Sequence, residues 1–300
     1  MKTSEGFVLV RPGLHLYFRT LGEGPETVVV PNASWLAESL LPLAEGRTLI
    51  FFDPRSRGRS SAVTDHRRLS LGDDVDDLEA VRRYFGLERF SLLGASYHAA
   101  PAALYALDNL ARIERLLLVC PITPRQPGEW AQETPSPEVL VYPPGVPRLE
   151  EMRREGLDRS DPVAFCRAWF NYFLLPAMMG DLEAAGRFPL DDVCSFPNEW
   201  PARTMTLYFQ HIVPKMKAWD FRPRLPALEQ PVLVLQGTDD LVPLAASREW
   251  AEHCGNGRFL AIEGAGHHPY LERPQEFFPA AETFLKGEWP QNAVVVRRAA

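Results

Sequence analysis

The run Thr27–Val30 puts four β-branched residues in succession with no polar alternation. Such a run suits a strand buried on both faces of a parallel sheet, because a sheet with one wet face would alternate. Thr48–Phe52 (TLIFF) is a second run of this kind, and Trp35–Leu43 between them has helical spacing that ends near Pro42. Upstream, Phe7–Val10 and Leu14–Thr20 flank Pro12-Gly13 and predict a hairpin. Downstream, Ser70-Leu71-Gly72-Asp73 reads as a capping box. Leu71, Val75, Leu78, Val81 and Phe85 then recur every three or four positions until Gly86. Strands are expected at Phe90–Leu93, Arg115–Val119, Val232–Gln236 and Arg258–Ile262, and helices at 97–110, 245–253 and 274–285. Strands alternating with helices predict an α/β fold, a doubly wound and mostly parallel sheet.

Between about Thr123 and Glu229 the rhythm stops. Pro124, Pro127, Pro135, Pro137, Pro143, Pro144 and Pro147 predict an irregular, extended beginning. Aromatic helical segments follow: Phe165, Trp169, Phe170, Tyr172 and Phe173, then Met178 and Met179, then Met205–Phe209. Because the sheet resumes straight afterwards, the segment reads as an inserted helical lid rather than a second domain. The expected division is core over 1–122, lid over 123–229 and core again over 230–300, with the tail from Glu288 peripheral.

A net charge of −7 and a pI near 5.6 argue against a nucleic-acid surface. Arg55, Arg57, Arg59, Arg67 and Arg68 sit among acids, and a solvated loop is the expectation for them. Cys120, Cys166, Cys194 and Cys254 are widely spaced without a C-x-x-C pair, so reduced, buried thiols are expected rather than a disulfide or a zinc site. The N-terminal MKTSEGFVLVRPG has only four apolar residues in a row, and no segment approaches a membrane span. Cytoplasmic residence is the default expectation, with a small-molecule partner and no nucleic acid or membrane.

The chemistry gathers where strands end. Gly94-Ala95-Ser96-Tyr97-His98 follows a strand and precedes a helix, the setting that lifts a serine Oγ clear of a sheet above a helix N-terminus. Gln236-Gly237-Thr238-Asp239-Asp240 follows a late strand and supplies a carboxylate. Glu263-Gly264-Ala265-Gly266-His267-His268 follows the last strand and supplies an imidazole. Any one of the three has a bland reading, as a turn serine, a turn aspartate or a surface histidine. Their order, serine then acid then histidine, is that of a nucleophile, an orienting acid and a base.

With these segments the chain resembles the α/β-hydrolase superfamily nearly end to end, particularly its lidded branch of esterases and proline-iminopeptidase-like enzymes. Asp53-Pro54-Arg55-Ser56-Arg57-Gly58-Arg59-Ser60 is similar to that branch's D-x-R-x-x-G-x-S loop, and Pro197-Asn198-Glu199-Trp200-Pro201 to a lid stretch of some iminopeptidase-like members. The resemblance implies Ser96 as nucleophile, His267 as base, Asp240 as acid, and an oxyanion hole of the Ala33 and Tyr97 backbone N–H groups. Spacing from Gly237 selects Asp240, whereas spacing back from Pro243 selects Asp239. Two departures stand out. His98 replaces the second glycine of G-x-S-x-G, where it is either a packed core residue or a pocket residue, and Pro31-Asn32 replaces the usual His-Gly. Asn32 then adds a donor or shapes the turn.

The expected reaction is hydrolysis of a carboxylic ester through an acyl-enzyme, with no metal or organic cofactor. The aromatic lid, with Trp169, Phe170, Phe173, Met178, Met179, Trp200 and Phe209, implies an apolar acyl or aryl substrate; Trp169 and Trp200 are the candidate binding residues, although such side chains are more often lid core. A proline-iminopeptidase-like aminopeptidase is the main rival and needs a carboxylate for a substrate ammonium, with Glu199, Glu129, Glu133 and Glu138 the candidates. A non-catalytic ligand receptor on the same fold is the rival of another class, and a complete triad argues against it.

Overall fold

The computed structural model describes residues 1–126, 145–216 and 219–296. A hairpin of β1 (Thr3–Arg11) and β2 (Leu14–Leu21) turns at Gly13, whose φ of 79° lies in the left-handed region that glycine tolerates. Next come β3 (Glu26–Pro31), β4 (Arg47–Phe52), β5 (Phe90–Ala95), β6 (Ile113–Val119), β7 (Val232–Gly237), β8 (Gly257–Ile262) and a short β9 (Val294–Val295). These strands form one sheet in the order β1-β2-β4-β3-β5-β6-β7-β8-β9. From β4 through β8 every neighbouring pair is parallel, and the two ends are antiparallel.

The β-branched run behaves as its composition requires. Val28, Val29 and Val30 are buried and contribute to both faces of the sheet, each worth about 1.5–3 kcal/mol of apolar burial. Helix Leu71–Tyr84 starts on Ser70, whose Oγ accepts from Asp73 N–H, and packs Leu78 and Val81 inward. Helices Ala99–Asp108, Leu244–His253 and Pro274–Leu285 complete the core layers. The 35–43 segment is less regular than its spacing predicts: a single turn at Ala33–Leu36 and a 3₁₀ turn at Leu41–Ala44, with Pro42 near the start of the latter. The C-terminal tail lies at the sheet edge as expected. It also adds β9 and buries Ala293 and Val296, which periphery alone does not predict.

Between β6 and β7 lies a helical insertion of short pieces, including Val146–Arg154, Pro162–Trp169, Leu190–Cys194 and Pro201–Met205. Two π-helical stretches, Phe170–Leu174 and Thr206–Ile212, interrupt it. The proline-rich stretch from Pro127 to Pro144 lies outside the described residues. Expected reduced, Cys166 and Cys194 are instead joined as a disulfide; they sit 28 residues apart on two packed helices with Cα atoms 5.7 Å apart, a proximity that spacing alone does not reveal. Cys120 and Cys254 are free and buried. Among the described residues no helix is long and apolar enough to cross a membrane.

Candidate active site

The parallel strands all end on one side of the sheet, and the chemistry-bearing loops follow those ends. After β5 the chain turns sharply at Ser96, whose φ of 52° is left-handed and strained for a residue with a Cβ. Gly94 makes room for this elbow: a Cβ there would lie 2.8 Å from the Ala99 Cα and 2.9 Å from the Ala102 Cβ. The Ser96 hydroxyl lies 2.8 Å from His267 Nε2, and His267 Nδ1 lies 2.9 and 3.0 Å from the two Asp240 oxygens. Since a carboxylate faces Nδ1, that nitrogen carries the proton and Nε2 is left to accept from the serine.

Sequence spacing leaves Asp239 and Asp240 open. The structure turns the Asp240 side chain to His267, while the Asp239 carboxylate accepts from Thr238 Oγ1 at 3.1 Å. Two neighbours of Asp240 carry no sequence signal. Gln236, wholly buried on β7, donates from Nε2 to Asp240 Oδ2 at 2.7 Å and to the Val242 carbonyl at 3.0 Å. Cys120 follows β6 with a left-handed φ of 45°, and its Sγ, an Asp240 oxygen and a His267 ring nitrogen lie within 4.8 Å of one another. Burial, then the Asp240 charge, holds the Cys120 thiol well above its ordinary pKa.

Ala33 and Tyr97 each stand in the opening turn of a short helical segment, Ala33–Leu36 and Ser96–His98, where N–H groups have no intrahelical partner. Asn32 shapes the turn before Ala33 in the left-handed conformation, φ 77°. Beside it the buried Asp53 carboxylate accepts from Ser34 N–H (2.9 Å), Ser34 Oγ–H (2.8 Å) and Arg59 N–H (3.1 Å), while burial pushes its pKa up. Gly58 belongs to the same junction, since a Cβ there would lie 1.8 Å from Ser34 Oγ.

The arginine cluster corrects the solvated-loop reading. Arg55 and Arg57 are 1% and 2% exposed. Arg55 pairs with Asp77 and Asp73, and Arg57 grips Asp74 with both terminal nitrogens at 2.7 and 2.8 Å. Acids spaced along helix Leu71–Tyr84 thus face the loop, and burying both partners offsets the cost of burying either charge alone. Arg67 is solvated as expected.

The insertion meets this loop through its Asn-Glu-Trp segment. Asn198 Nδ2 donates to the Gly58 and Ser60 carbonyls at 3.0 and 2.8 Å. Glu199 accepts from Gly58 N–H and, at 2.8 Å, from Trp35 Nε1. Trp200 is partly buried and donates to the Cys194 carbonyl at 3.2 Å, while Trp169 is buried against Phe170 and Phe173 inside the insertion. A different aromatic set reaches the site: Trp35 packs on Phe170 and Phe188, and Phe188 packs on His268, whose ring meets His267. His98 is 3% exposed, as the packed reading has it, but its hydrogen bonding is poor. Nε2 lies 3.5 Å from the Tyr208 hydroxyl and Nδ1 has no partner among the described residues, while burial and then the Arg57 charge hold its pKa well below the ordinary histidine value. Glu129, Glu133, Glu138 and the Phe209 side chain lie outside the described residues.

A family model described as "alpha/beta hydrolase fold" matches residues 30–274. The chain is 23% identical to a proline iminopeptidase of Lactobacillus helveticus over 287 residues, covering 91% of this chain and 95% of that one. It is 27% identical to a 2-hydroxy-6-oxononadienedioate/2-hydroxy-6-oxononatrienedioate hydrolase of Pseudomonas putida over 300 residues, covering 95% and 97%. Among solved structures it is similar to an enol-lactonase from Burkholderia xenovorans, with a TM-score of 0.67, 23% identity, and 94% and 100% of the two chains covered.

Proposed function

Because the chain belongs to the α/β-hydrolase fold family, we propose that it is a serine hydrolase cleaving carboxylic esters of a small, apolar substrate through an acyl-enzyme. The observation that carries this reading is the continuous hydrogen-bonded line from Ser96 Oγ through His267 to Asp240. In this reading Ser96 Oγ attacks the ester carbonyl carbon as its proton passes to His267 Nε2. The N–H groups of Ala33 and Tyr97 hold the negative oxygen, and Asp240 stabilises the imidazolium. Collapse of the tetrahedral species breaks the ester C–O bond, and the alcohol leaves with the proton from Nε2. Water then repeats the sequence on the acyl group and returns the serine. Residues 123–229 act as a cap over this site, with Trp35, Phe170 and Phe188 forming its apolar wall and Trp169 and Trp200 supporting the cap from within. Asn32 shapes the oxyanion turn, and His98 packs under the cap.

The name of the Lactobacillus relative favours a second reading, an aminopeptidase of the proline-iminopeptidase type. That activity needs a free carboxylate for the substrate ammonium. Both oxygens of Glu199 already accept, from Gly58 and from Trp35, which supports the ester reading instead. A panel of p-nitrophenyl esters against aminoacyl anilides, with Ser96→Ala as blank, tests the choice. Ester turnover should dominate and vanish in the blank. Faster anilide turnover would move the protein to the second reading, and turnover surviving in Ser96→Ala would remove the serine from the mechanism.

A further inference from the structure

Glu272 is 3% exposed, and among the described residues its carboxylate is hydrogen-bonded to no side-chain cation, the Arg273 guanidinium donating instead to the Glu272 backbone carbonyl. Its carboxylate is satisfied by three backbone donors. Oε2 accepts from Gly266 N–H and from Asp181 N–H, both at 2.9 Å, and Oε1 accepts from His268 N–H at 3.1 Å. Gly266 and His268 flank His267, while Asp181 belongs to the insertion. His267 itself donates its N–H to the Met178 carbonyl of the insertion at 2.7 Å. The two backbones touch: a Cβ on Gly266 would lie 2.4 Å from Gly180 N, and one on Gly180 would lie 2.9 Å from the Asp239 Cβ. Insertion and histidine loop therefore share hydrogen bonds and have no space to slide.

We propose that Glu272 is a positioning residue that couples the seating of the insertion to the alignment of the His267 imidazole. The proposal rests on the assignment of His267 as base. The mechanism is geometric. A buried carboxylate surrounded only by N–H donors is stable while all three donors converge on it, and losing one leaves the charge undersatisfied. When the insertion lifts, Asp181 N–H and Met178 C=O leave together, and the loop loses its hold on the residue that must sit within hydrogen-bond reach of Ser96. The base is then aligned only under a seated insertion, so activation follows substrate enclosure.

The test reads the rate at which a fluorophosphonate probe labels Ser96, which needs the base aligned but no knowledge of the substrate. Glu272→Gln keeps one acceptor and turns an NH₂ group toward an N–H donor. Labelling should slow about 10- to 100-fold across the pH profile, the scale expected when a reacting group is misplaced by about 1 Å, while circular dichroism stays unchanged. Asp181→Pro deletes the insertion's donor without touching the histidine loop and should slow labelling in the same direction. Arg273→Ala, which removes the ion pair to Asp181 and a bond to the Glu272 backbone carbonyl but leaves all three N–H donors on the Glu272 carboxylate, should label at the wild-type rate. Two folded variants that both label at the wild-type rate would overturn the coupling. If Glu272→Gln does not fold, Asp181→Pro decides alone. Hydrogen exchange in the wild-type chain is an independent measure: the Asp181, Gly266 and His268 amides should open at one common rate, and unrelated rates would refute the proposal. Wild type and Ser96→Ala labelling alike would instead count against the hydrolase reading, leaving the exchange result to judge the coupling.

Discussion

The strands that lead to Ser96, Asp240 and His267 and the insertion that covers them share apolar packing but rely on directional bonds to different degrees. In the core, Leu92, Leu116 to Leu118 and Val232 to Leu235 are buried in parallel strands, packed among other apolar side chains on both faces of the sheet. The insertion is a series of short helices broken by π turns. It is joined to itself by Cys166–Cys194 and to the core both by apolar packing, Phe170 and Phe188 against Trp35 among it, and by directional bonds from Asn198, Glu199, Asp181 and Met178. Apolar packing is spread over many atoms and tolerates the loss of a few, whereas a directional bond is lost whole. The sheet under the chemistry thus rests on distributed packing, whereas the contacts that join the insertion to the histidine loop include bonds that are lost whole.

The severest test of this contrast is at the frame itself. Asp240→Asn leaves the fold but spoils the His267 tautomer, and kcat should fall about 10⁴-fold, while Asp239→Asn should stay within about tenfold. The opposite ranking would mean that the acid loop rearranges when substrate binds and is not part of the rigid frame.

Reducing Cys166–Cys194, or replacing both by Ala, removes a loop constraint of 28 residues and should destabilise the insertion by about 3–4 kcal/mol. Proteolysis should then nick the region 145–216 first and leave the core fragment intact. Simultaneous loss of both regions would show that core and insertion melt as one unit.

Gln236→Leu probes the frame from inside the core. It fills the same space but frees one Asp240 oxygen, so kcat should drop about tenfold with KM nearly unchanged. An equal loss in KM would place Gln236 in substrate binding and not in orientation of the acid.

Legibility in the sequence divides along the same line. Thr27–Val30, the capping box at Ser70 and the order of Ser96, Asp240 and His267 are readable because periodicity and strand-end position are local properties. Partners distant in the chain are not. Arg55 and Arg57 look solvated because the acids that bury them, Asp73, Asp74 and Asp77, lie on a separate helix. Cys166 and Cys194 look reduced because pairing depends on helix packing. Phe188, Gln236 and Glu272 have no motif of their own, although a glutamate closing the GAGHHPYLE segment is a signal available to anyone asking what holds a glycine-rich histidine loop still.

The smallest effect expected is at Glu199, where the two regions meet. Seating the insertion buries this carboxylate, and desolvation lifts its pKa above the ordinary 4.5; the Gly58 and Trp35 donors and the Arg57 charge pull it back, and Asp53 pushes it further up. The seated form therefore holds the proton more tightly than the unseated form. Its contribution to seating is full below the ordinary carboxylate pKa and is lost as pH rises through the elevated value. Proteolysis of the insertion should be slower in weak acid than at neutral pH, by less than about tenfold. Asp77 in the core, pushed to about 6 by burial, also titrates between weak acid and neutral pH, so the quantity to read is wild type minus Glu199→Gln. That variant is neutral at every pH and retains one acceptor, and its proteolysis should be flatter with pH than the wild type's. Core acidity behaves oppositely at Glu79, which Arg82 chiefly holds at about 2; its stabilisation is present above 4.5 and fades only as pH falls toward 2. An identical pH slope in wild type and Glu199→Gln would show that seating is indifferent to this charge. The contact would then hold through Asn198 and the apolar faces of Trp35 and Phe188, and the contrast between packed core and bonded insertion would be smaller than the hydrogen-bond pattern implies.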